Sequence, residues 1–165
     1  MLEQLPQGTS VFIDANIFLY RALNHWKHGE PCKTFIEAIA AGDYRGITNV
    51  MVCNEVFHRA MLAEVVERYE IEPKRAVRHL KEHDELVTEL SKTWKVMNTL
   101  RELANLEIIE VTEGDLEVAL SISKDYGLLS SDAFHAATMK RCGLTDIATN
   151  DSDFERVTWL TVWKP

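Results

Sequence analysis

The stretch Ser10-Val-Phe-Ile-Asp-Ala-Asn16 contains the strongest strand pattern near the start of the chain. Residues 11–13 are apolar and favour β structure, and the abrupt change to polar residues predicts a buried strand that ends at Asp14. In open parallel sheets, ligands bind in the crevice beyond the carboxyl ends of the strands. Asp14 is therefore the first candidate site residue.

Working outward, the chain alternates between strand and helix patterns. Further strands are predicted at 44–48, 107–111, 146–149 and 158–163, and helices at 17–24, 32–41, 50–69, 113–126 and 132–141. Pro73 begins another helical stretch, whose apolar stripe from Val77 to Leu100 indicates one long helix or a helical pair packed on the core. Ser130 and Ser131 resemble N-cap residues. The alternation predicts an α/β fold with a parallel sheet covered on both faces.

Length and composition indicate one domain, because the 165 residues are 46% hydrophobic. The three cysteines, Cys32, Cys53 and Cys142, are far apart and predict neither a disulfide framework nor a zinc site. The N-terminal residues lack the pattern of a signal peptide, and no apolar run is long enough to span a membrane. We expect a cytoplasmic protein without a membrane partner.

The formal net charge of −8 argues against a nucleic-acid partner, since affinity for phosphates usually rests on Lys and Arg. The charge is uneven, however. The segment from Arg68 to Arg101 holds 8 of the 18 basic residues and 6 of the 26 acidic ones. The rest of the chain therefore has 10 basic and 20 acidic residues. An acidic body that binds cations, with a helical segment facing a polyanion, has this pattern, and so does an ordinary solvated helix.

Four further acids stand where packing alone would not place them. Glu55 lies in a helix that is apolar almost all round, so we expect its carboxylate near the core. Asp132 lies in the first turn of a helix of small and apolar residues, and Asp151 and Asp153 follow a strand end. Each has a structural alternative: the helix dipole for Asp132 and Asp151, pairing with the arginine one turn on for Glu55, and the surface for Asp153.

If these acids lie close together in the folded chain, a shared metal site is favoured over separate structural roles. If the strands before Asp14 and Asp151 are neighbours, both acids emerge at one sheet edge, where the helices bearing Glu55 and Asp132 can close over them. Clustered carboxylates repel one another and raise their own pKa values unless cations bind. Oxygen ligands without histidine or cysteine predict one or two Mg²⁺ or Mn²⁺ ions. The metal account needs neither His58 nor His135, which are interpreted as structural residues.

The sequence resembles the PIN-domain nucleases, and within them the VapC-like toxin ribonucleases. Four segments in the same order carry the resemblance: Phe-Ile-Asp-Ala-Asn-Ile-Phe around Asp14, Asn-Glu-Val around Glu55, Ser-Ser-Asp-Ala-Phe-His-Ala-Ala around Asp132, and Ala-Thr-Asn-Asp-Ser-Asp-Phe around Asp151. Together they cover nearly the whole chain. One departure is a helical extension at about 68–103, longer than expected for a compact toxin, within a single PIN-like domain over 1–165.

The resemblance implies a three-layer fold whose parallel sheet has the strand order 3-2-1-4-5, with an acidic pocket for divalent ions. It implies that Asp14, Glu55, Asp132 and Asp151 are catalytic and metal-binding, with Asp153 a less regular ligand. It implies supporting roles for Asn16, Ser130 and Thr149. It also implies an antitoxin protein as partner, and the apolar stripe or exposed tryptophans could serve that contact or a homodimer.

The hypothesis is a metal-dependent endoribonuclease that hydrolyses RNA phosphodiester bonds with metal-activated water, either as the toxin of a toxin–antitoxin pair or in RNA processing. A catalytically silent binding module of the same fold is one alternative, since presence of the acids is not activity. A receiver-type phosphoacceptor domain is another, since Lys164-Pro165 follows the last strand, but the acidic pair after a first receiver strand is missing. Only a receiver would gain a phosphoryl group from acetyl phosphate.

Overall fold

A computed structural model describes all residues, 1–165. Its strands are β1 (Ser10–Ile13), β2 (Arg45–Asn49), β3 (Leu106–Ile109), β4 (Asp146–Ala148) and β5 (Thr161–Trp163). Its α-helices are α1 (Ala15–Ala22), α2 (Gly29–Ala41), α3 (Val50–Tyr69), α4 (Ala76–Glu82), α5 (Ser91–Arg101), α6 (Glu113–Tyr126) and α7 (Ser130–Arg141). No helix is both long enough and apolar enough to cross a membrane.

The five strands form one parallel sheet in the order β3-β2-β1-β4-β5, which confirms the predicted α/β fold and strand order. β1 is central, and its residues Val11, Phe12 and Ile13 are fully buried. Right-handed crossovers place α1, α2, α3 and α5 on one face and α6 and α7 on the other. The helix contacts agree with this division, because α1 packs on α2 and α3, α3 packs on α5, and α6 packs on α7.

The helix ends follow local sequence signals in most places. The side chain of Asn49 accepts a hydrogen bond from the backbone N–H of Val52 at 2.9 Å and caps α3. Gly42 and Gly127 end α2 and α6 with φ values of 90° and 67°, which a residue without a Cβ adopts without strain. The prediction for Ser130 and Ser131 was wrong. The N-cap of α7 is Leu129, and no side chain caps that end.

The apolar stripe beyond Pro73 is neither one helix nor a simple pair. Pro73 begins a short 3-10 turn, α4 follows, and a second 3-10 segment over Asp84–Glu89 separates α4 from α5. Leu90 and Leu100 are buried, whereas Val77 and Trp94 are about two-fifths exposed. A small second core forms here from Val65, Ala76 and Leu90. Most of the stripe therefore packs, whereas Val77 at its start and Trp94 within it face solvent.

Glu64 joins α3 to α5. Its buried carboxylate accepts hydrogen bonds from the backbone N–H groups of Lys92 (3.1 Å) and Thr93 (2.7 Å), and from the Thr93 hydroxyl (2.8 Å). These N–H groups belong to the first turn of α5, where they have no partner within the helix. One acid of α3 thus caps a helix that begins 27 residues later in the chain.

Candidate functional site

Asp14 lies at the carboxyl edge of the sheet, between two neighbouring strands. The β1–β2 register, continued by two residues, brings Asp14 beside Asn49, and the β1–β4 register, continued by one residue, brings it beside Thr149. The backbone N–H of Asp14 donates to the carbonyl of Ala148 at 3.1 Å. The edge expected from the sequence is therefore formed, because the strands that precede Asp14 and Asp151 are neighbours.

Hydrogen bonds fix both carboxylate oxygens of Asp14. Oδ1 accepts from the backbone N–H of Ala15 at 2.6 Å, so Asp14 is also the N-cap of α1. Oδ2 accepts from the Thr149 hydroxyl at 2.6 Å and from the Asn16 amide. Asn16 also donates to Thr149 at 2.9 Å, and the backbone N–H of Asp151 donates to the Thr149 hydroxyl at 3.0 Å. Asn16 and Thr149 thus link Asp14 to the loop that carries Asp151.

Five acids, hereafter the acid cluster, influence one another at this edge; they are Asp14, Glu55, Asp132, Asp151 and Asp153. Burial raises the pKa of Asp14 to about 6, and the charges of Glu55 and Asp132 add to the rise. Burial also raises the pKa of Asp132 to about 6, followed by the charges of Asp151, Glu55 and Asp153. Mutual repulsion of this kind is what a bound cation would relieve.

Two members of the acid cluster are paired with an arginine side chain. Glu55 was expected near the core, but its side chain is 36% exposed and pairs with Arg59 at 3.1 Å. Its carboxylate does come within 4.8 Å of the buried Asp14 and His135, but the side chain is not enclosed, and the alternative pairing with Arg59 is formed. Asp153 pairs with Arg156 at 2.6 Å. Asp14, Asp132 and Asp151 form no salt bridge, so three acids of the cluster keep an uncompensated charge.

His135 is a neighbour of the carboxylates that sequence reasoning set aside. One ring nitrogen of this buried histidine and one oxygen each of Asp14 and Glu55 lie within 4.8 Å of one another, a spacing at which one ion could contact all three. Burial lowers the pKa of His135 to about 4, so the ring is neutral at pH 7. Its spacing of three residues from Asp132 on one helix was the available signal.

The tautomer of His135 follows from its partner. Asn49 uses its amide oxygen to cap α3, so its NH₂ group faces the ring, with 3.2 Å between Asn49 Nδ2 and His135 Nδ1. An NH₂ group only donates, so Nδ1 accepts and the proton of the neutral ring is on Nε2. His135 is thus oriented by the same residue that begins α3.

The supporting residues named from the sequence differ in their surroundings. Asn16 and Thr149 contact Asp14 directly. Ser130 is exposed at the start of α7, and its role remains a prediction. Lys164, the residue that prompted the receiver alternative, pairs with Glu155. Asn150, which the sequence did not single out, joins the network because its backbone N–H donates to Asn16 Oδ1 at 3.1 Å.

The donor set suits a hard divalent cation. Carboxylates predominate, burial and repulsion raise the pKa values of Asp14 and Asp132, and carboxylate oxygens are the ligand type of Mg²⁺ and Mn²⁺. In the tautomer that Asn49 sets, His135 Nδ1 accepts from the Asn49 amide and Nε2 carries the proton, so we expect the carboxylates and not the imidazole to be the ligands.

Comparison with known proteins gives a consistent result. A sequence model of the family described as "PIN domain" matches residues 11–160. Ribonuclease VapC2 of Methanocaldococcus jannaschii is 26% identical over 157 residues, which are 94% of each chain. The structure of VapBC2 from Rickettsia felis bound to a promoter DNA fragment has a TM-score of 0.62 at 13% identity, covering 94% of this chain and 98% of that one. A toxin–antitoxin complex from Klebsiella pneumoniae has a TM-score of 0.52 at 16% identity, with 92% and 95% covered.

Proposed function

Because the chain belongs to the PIN domain family, we propose that it is a divalent-metal-dependent endoribonuclease that hydrolyses RNA phosphodiester bonds. The observation that carries the proposal is the acid cluster itself. Carboxylates that follow β1 and β4 or lie on α3 and α7 come together at one edge of the sheet, where burial, reinforced by their mutual repulsion, raises the pKa values of Asp14 and Asp132 to about 6. Such an arrangement is unfavourable without a cation.

Asp14, Asp132 and Asp151 would hold one or two Mg²⁺ or Mn²⁺ ions, with Glu55 and Asp153 completing the set. When bound, the metal lowers the pKa of its water and neutralises charge that develops on the phosphate. Asn16 and Thr149 keep the Asp14 carboxylate in one orientation, since both donate to Oδ2. Glu55 is partly exposed and could accept the proton of the attacking water.

The partners are part of the proposal. RNA is the proposed substrate, and the cytoplasm is the proposed location. The similar VapC2 is called a ribonuclease, and a structural neighbour is a toxin–antitoxin complex, so we include an antitoxin protein as partner and a role as the toxin of such a pair. A homodimer is proposed as well. RNA processing without an antitoxin is the other form of the same activity.

A catalytically silent binding module is the second candidate. The observation that favours it is the local pairing of Glu55 with Arg59 and of Asp153 with Arg156, which compensates two of the five acids. The two candidates differ in what they require of the acids. A ribonuclease needs both Asp14 and Asp132 for cleavage, although they lie on different elements, whereas a silent module needs neither for activity.

The test is cleavage of single-stranded RNA by the purified protein, with Mg²⁺ or Mn²⁺ and with EDTA. We expect metal-dependent cleavage that Asp14→Asn and Asp132→Asn each abolish while circular dichroism stays unchanged. Glu117→Gln is the matched control, because it removes an exposed acid of α6 outside the cluster. Cleavage by the Asp14→Asn variant at the rate of the unmodified protein would refute the assignment, and metal binding without cleavage would favour the silent module.

A further inference from the structure

A small pocket adjoins the acid cluster. Its volume is about 280 Å³, and it is lined by Asn16, Leu19, Tyr20, Leu23, His25 and Arg59. Two of these side chains contact acids directly, since Asn16 donates to Asp14 and Arg59 pairs with Glu55. A molecule bound at the carboxylates would therefore extend into this pocket, hereafter the aromatic pocket.

Aromatic rings continue from the pocket to the surface. The rings of Tyr20 and His25 have centroids 4.6 Å apart, and the His25 and Trp26 rings follow at 6.1 Å with an angle of 26° between their planes. Trp26 is 88% exposed, the largest value among the exposed large apolar residues. An indole exposed to this extent offers wide flat faces to a partner, and nothing in the packing of the core requires it there.

Hydrogen bonds connect the aromatic pocket to the acid cluster. Asn16, Tyr20 and Leu23 are spaced by four and three residues on or just after α1, so they share one helix face. The Asn150 amide donates to the Tyr20 hydroxyl at 3.1 Å, and the backbone N–H of Asn150 donates to Asn16. The pocket wall is thus fixed in position relative to Asp14.

The loop after α1 is also ordered by specific contacts. The backbone N–H of His25 donates to the Tyr20 carbonyl at 2.9 Å, and the N–H of Gly29 donates to the His25 carbonyl at 2.7 Å. His25 Nδ1 accepts from the backbone N–H of His28 at 3.2 Å, which orients the ring. The His25 ring is therefore oriented before any ligand arrives, as is the Tyr20 ring by its bond to Asn150, and these two side chains lose little conformational entropy on binding.

We infer that the aromatic pocket binds an unpaired nucleobase of the RNA whose phosphodiester lies at the acid cluster, with Trp26 as the outer stacking surface. The inference rests on the proposed function and names its substrate class as single-stranded RNA. Aromatic rings stack on any unpaired base, whereas bases inside a duplex are not available to them. A chain with a net charge of −8 gains little from phosphate contacts, so stacking supplies affinity that cations do not.

The experiment measures binding separately from cleavage. A labelled single-stranded RNA is titrated by fluorescence anisotropy into Asp132→Asn protein, which keeps the RNA intact, with and without Trp26→Ala. We expect Trp26→Ala to weaken binding roughly 5- to 150-fold, which corresponds to about 1–3 kcal/mol per stacked base. Trp26→Phe should retain most of the affinity. Leu120→Ala, at an exposed apolar residue of α6, is the matched control and should bind like the parent.

A fully paired duplex of the same sequence gives the second arm, in which Trp26→Ala should change binding little. Equal binding of single-stranded RNA by the parent and Trp26→Ala proteins would overturn the inference, as would no RNA binding by the parent. Cleavage by the unmodified protein decides the proposed function independently. If Trp26→Ala left RNA binding intact but released a protein partner, the pocket would be a protein-docking surface and the inference would be wrong.

Discussion

Asp14→Asn should change how the stability of the metal-free protein depends on pH. The Asp14 carboxyl is 7% exposed, and its pKa is raised from 3.8 to about 6 in the folded protein. A raised pKa in the folded state means that the folded protein binds the proton more tightly than the unfolded chain. The stabilisation from this proton is present at low pH and is lost as the pH rises through about 6.

The magnitude follows from the two pKa values. They differ by about two pH units, and each unit is worth 1.36 kcal/mol, so ionised Asp14 costs up to about 3 kcal/mol relative to its protonated form. Most of that loss falls between pH 4 and pH 7. The asparagine cannot ionise. It loses an acceptor for the Ala15 N–H or for Asn16 and Thr149, a constant cost of about 0.5–2 kcal/mol.

The assay is urea denaturation of both proteins in EDTA at several pH values. The difference in free energy of unfolding, unmodified minus Asp14→Asn, removes titrations that the two proteins share, such as that of Asp115, whose pKa is lowered by its bonds to Arg141 and Thr112. We expect this difference to fall by about 2–3 kcal/mol from pH 4 to pH 7. Excess Mn²⁺ should reduce the fall, because a cation favours the ionised carboxylate.

A difference that stays constant with pH would refute the reasoning, because it would mean that Asp14 titrates alike in folded and unfolded chains. A difference that rises with pH would refute it more strongly, since Asp14 would then be stabilised in its charged form without metal. Asp146→Asn, which replaces an aspartate outside the acid cluster, is measured alongside as a control for the substitution itself.

Three further predictions concern stability and metal binding. Glu64→Ala should lower the free energy of unfolding by about 2–3 kcal/mol in urea denaturation, because three donors from Lys92 and Thr93 lose their buried acceptor, and Glu64→Gln should lose less. Mn²⁺ at about 100 times its Kd should stabilise the protein by about 2.7 kcal/mol, measured as a rise in Tm, and Asp14→Asn should remove the rise. Asp132→Asn should raise the stability of the metal-free protein at pH 7 without shifting its circular dichroism, because burial and then repulsion by the neighbouring acids disfavour the ionised Asp132 carboxylate, which has no salt bridge.

Local signals predicted much of the fold. The apolar run before Asp14, the Asn49 cap and the glycines that end α2 and α6 each act within a few residues, so they can be read from the sequence. Where the structure differs from the elements predicted from the sequence, a contact between residues distant in the chain sets the end of the element. The second 3-10 segment ends just before α5, whose start is capped by Glu64 from another helix, and no periodicity of the stripe reveals that contact.

The candidate site likewise has features that the sequence predicts and features that depend on the fold. The positions of Asp14 and Asp151 at one sheet edge followed from strand ends and the resemblance. The exposure of Glu55 and its pairing with Arg59 depended on which face of α3 meets the core, which an all-round apolar helix does not specify. The bonds from Asn16 to Thr149 join residues 133 positions apart, so only the fold brings them together.

The central claim is that acids from remote parts of the chain form one site for a divalent cation. Anomalous scattering from Mn²⁺-soaked crystals tests it most directly. The account predicts one or two manganese peaks within coordination distance of Asp14 and Asp132 oxygens, with Asp151 or Glu55 completing the ligands. Manganese bound only elsewhere on the protein, with the carboxylates of Asp14 and Asp132 left without an ion, would contradict it.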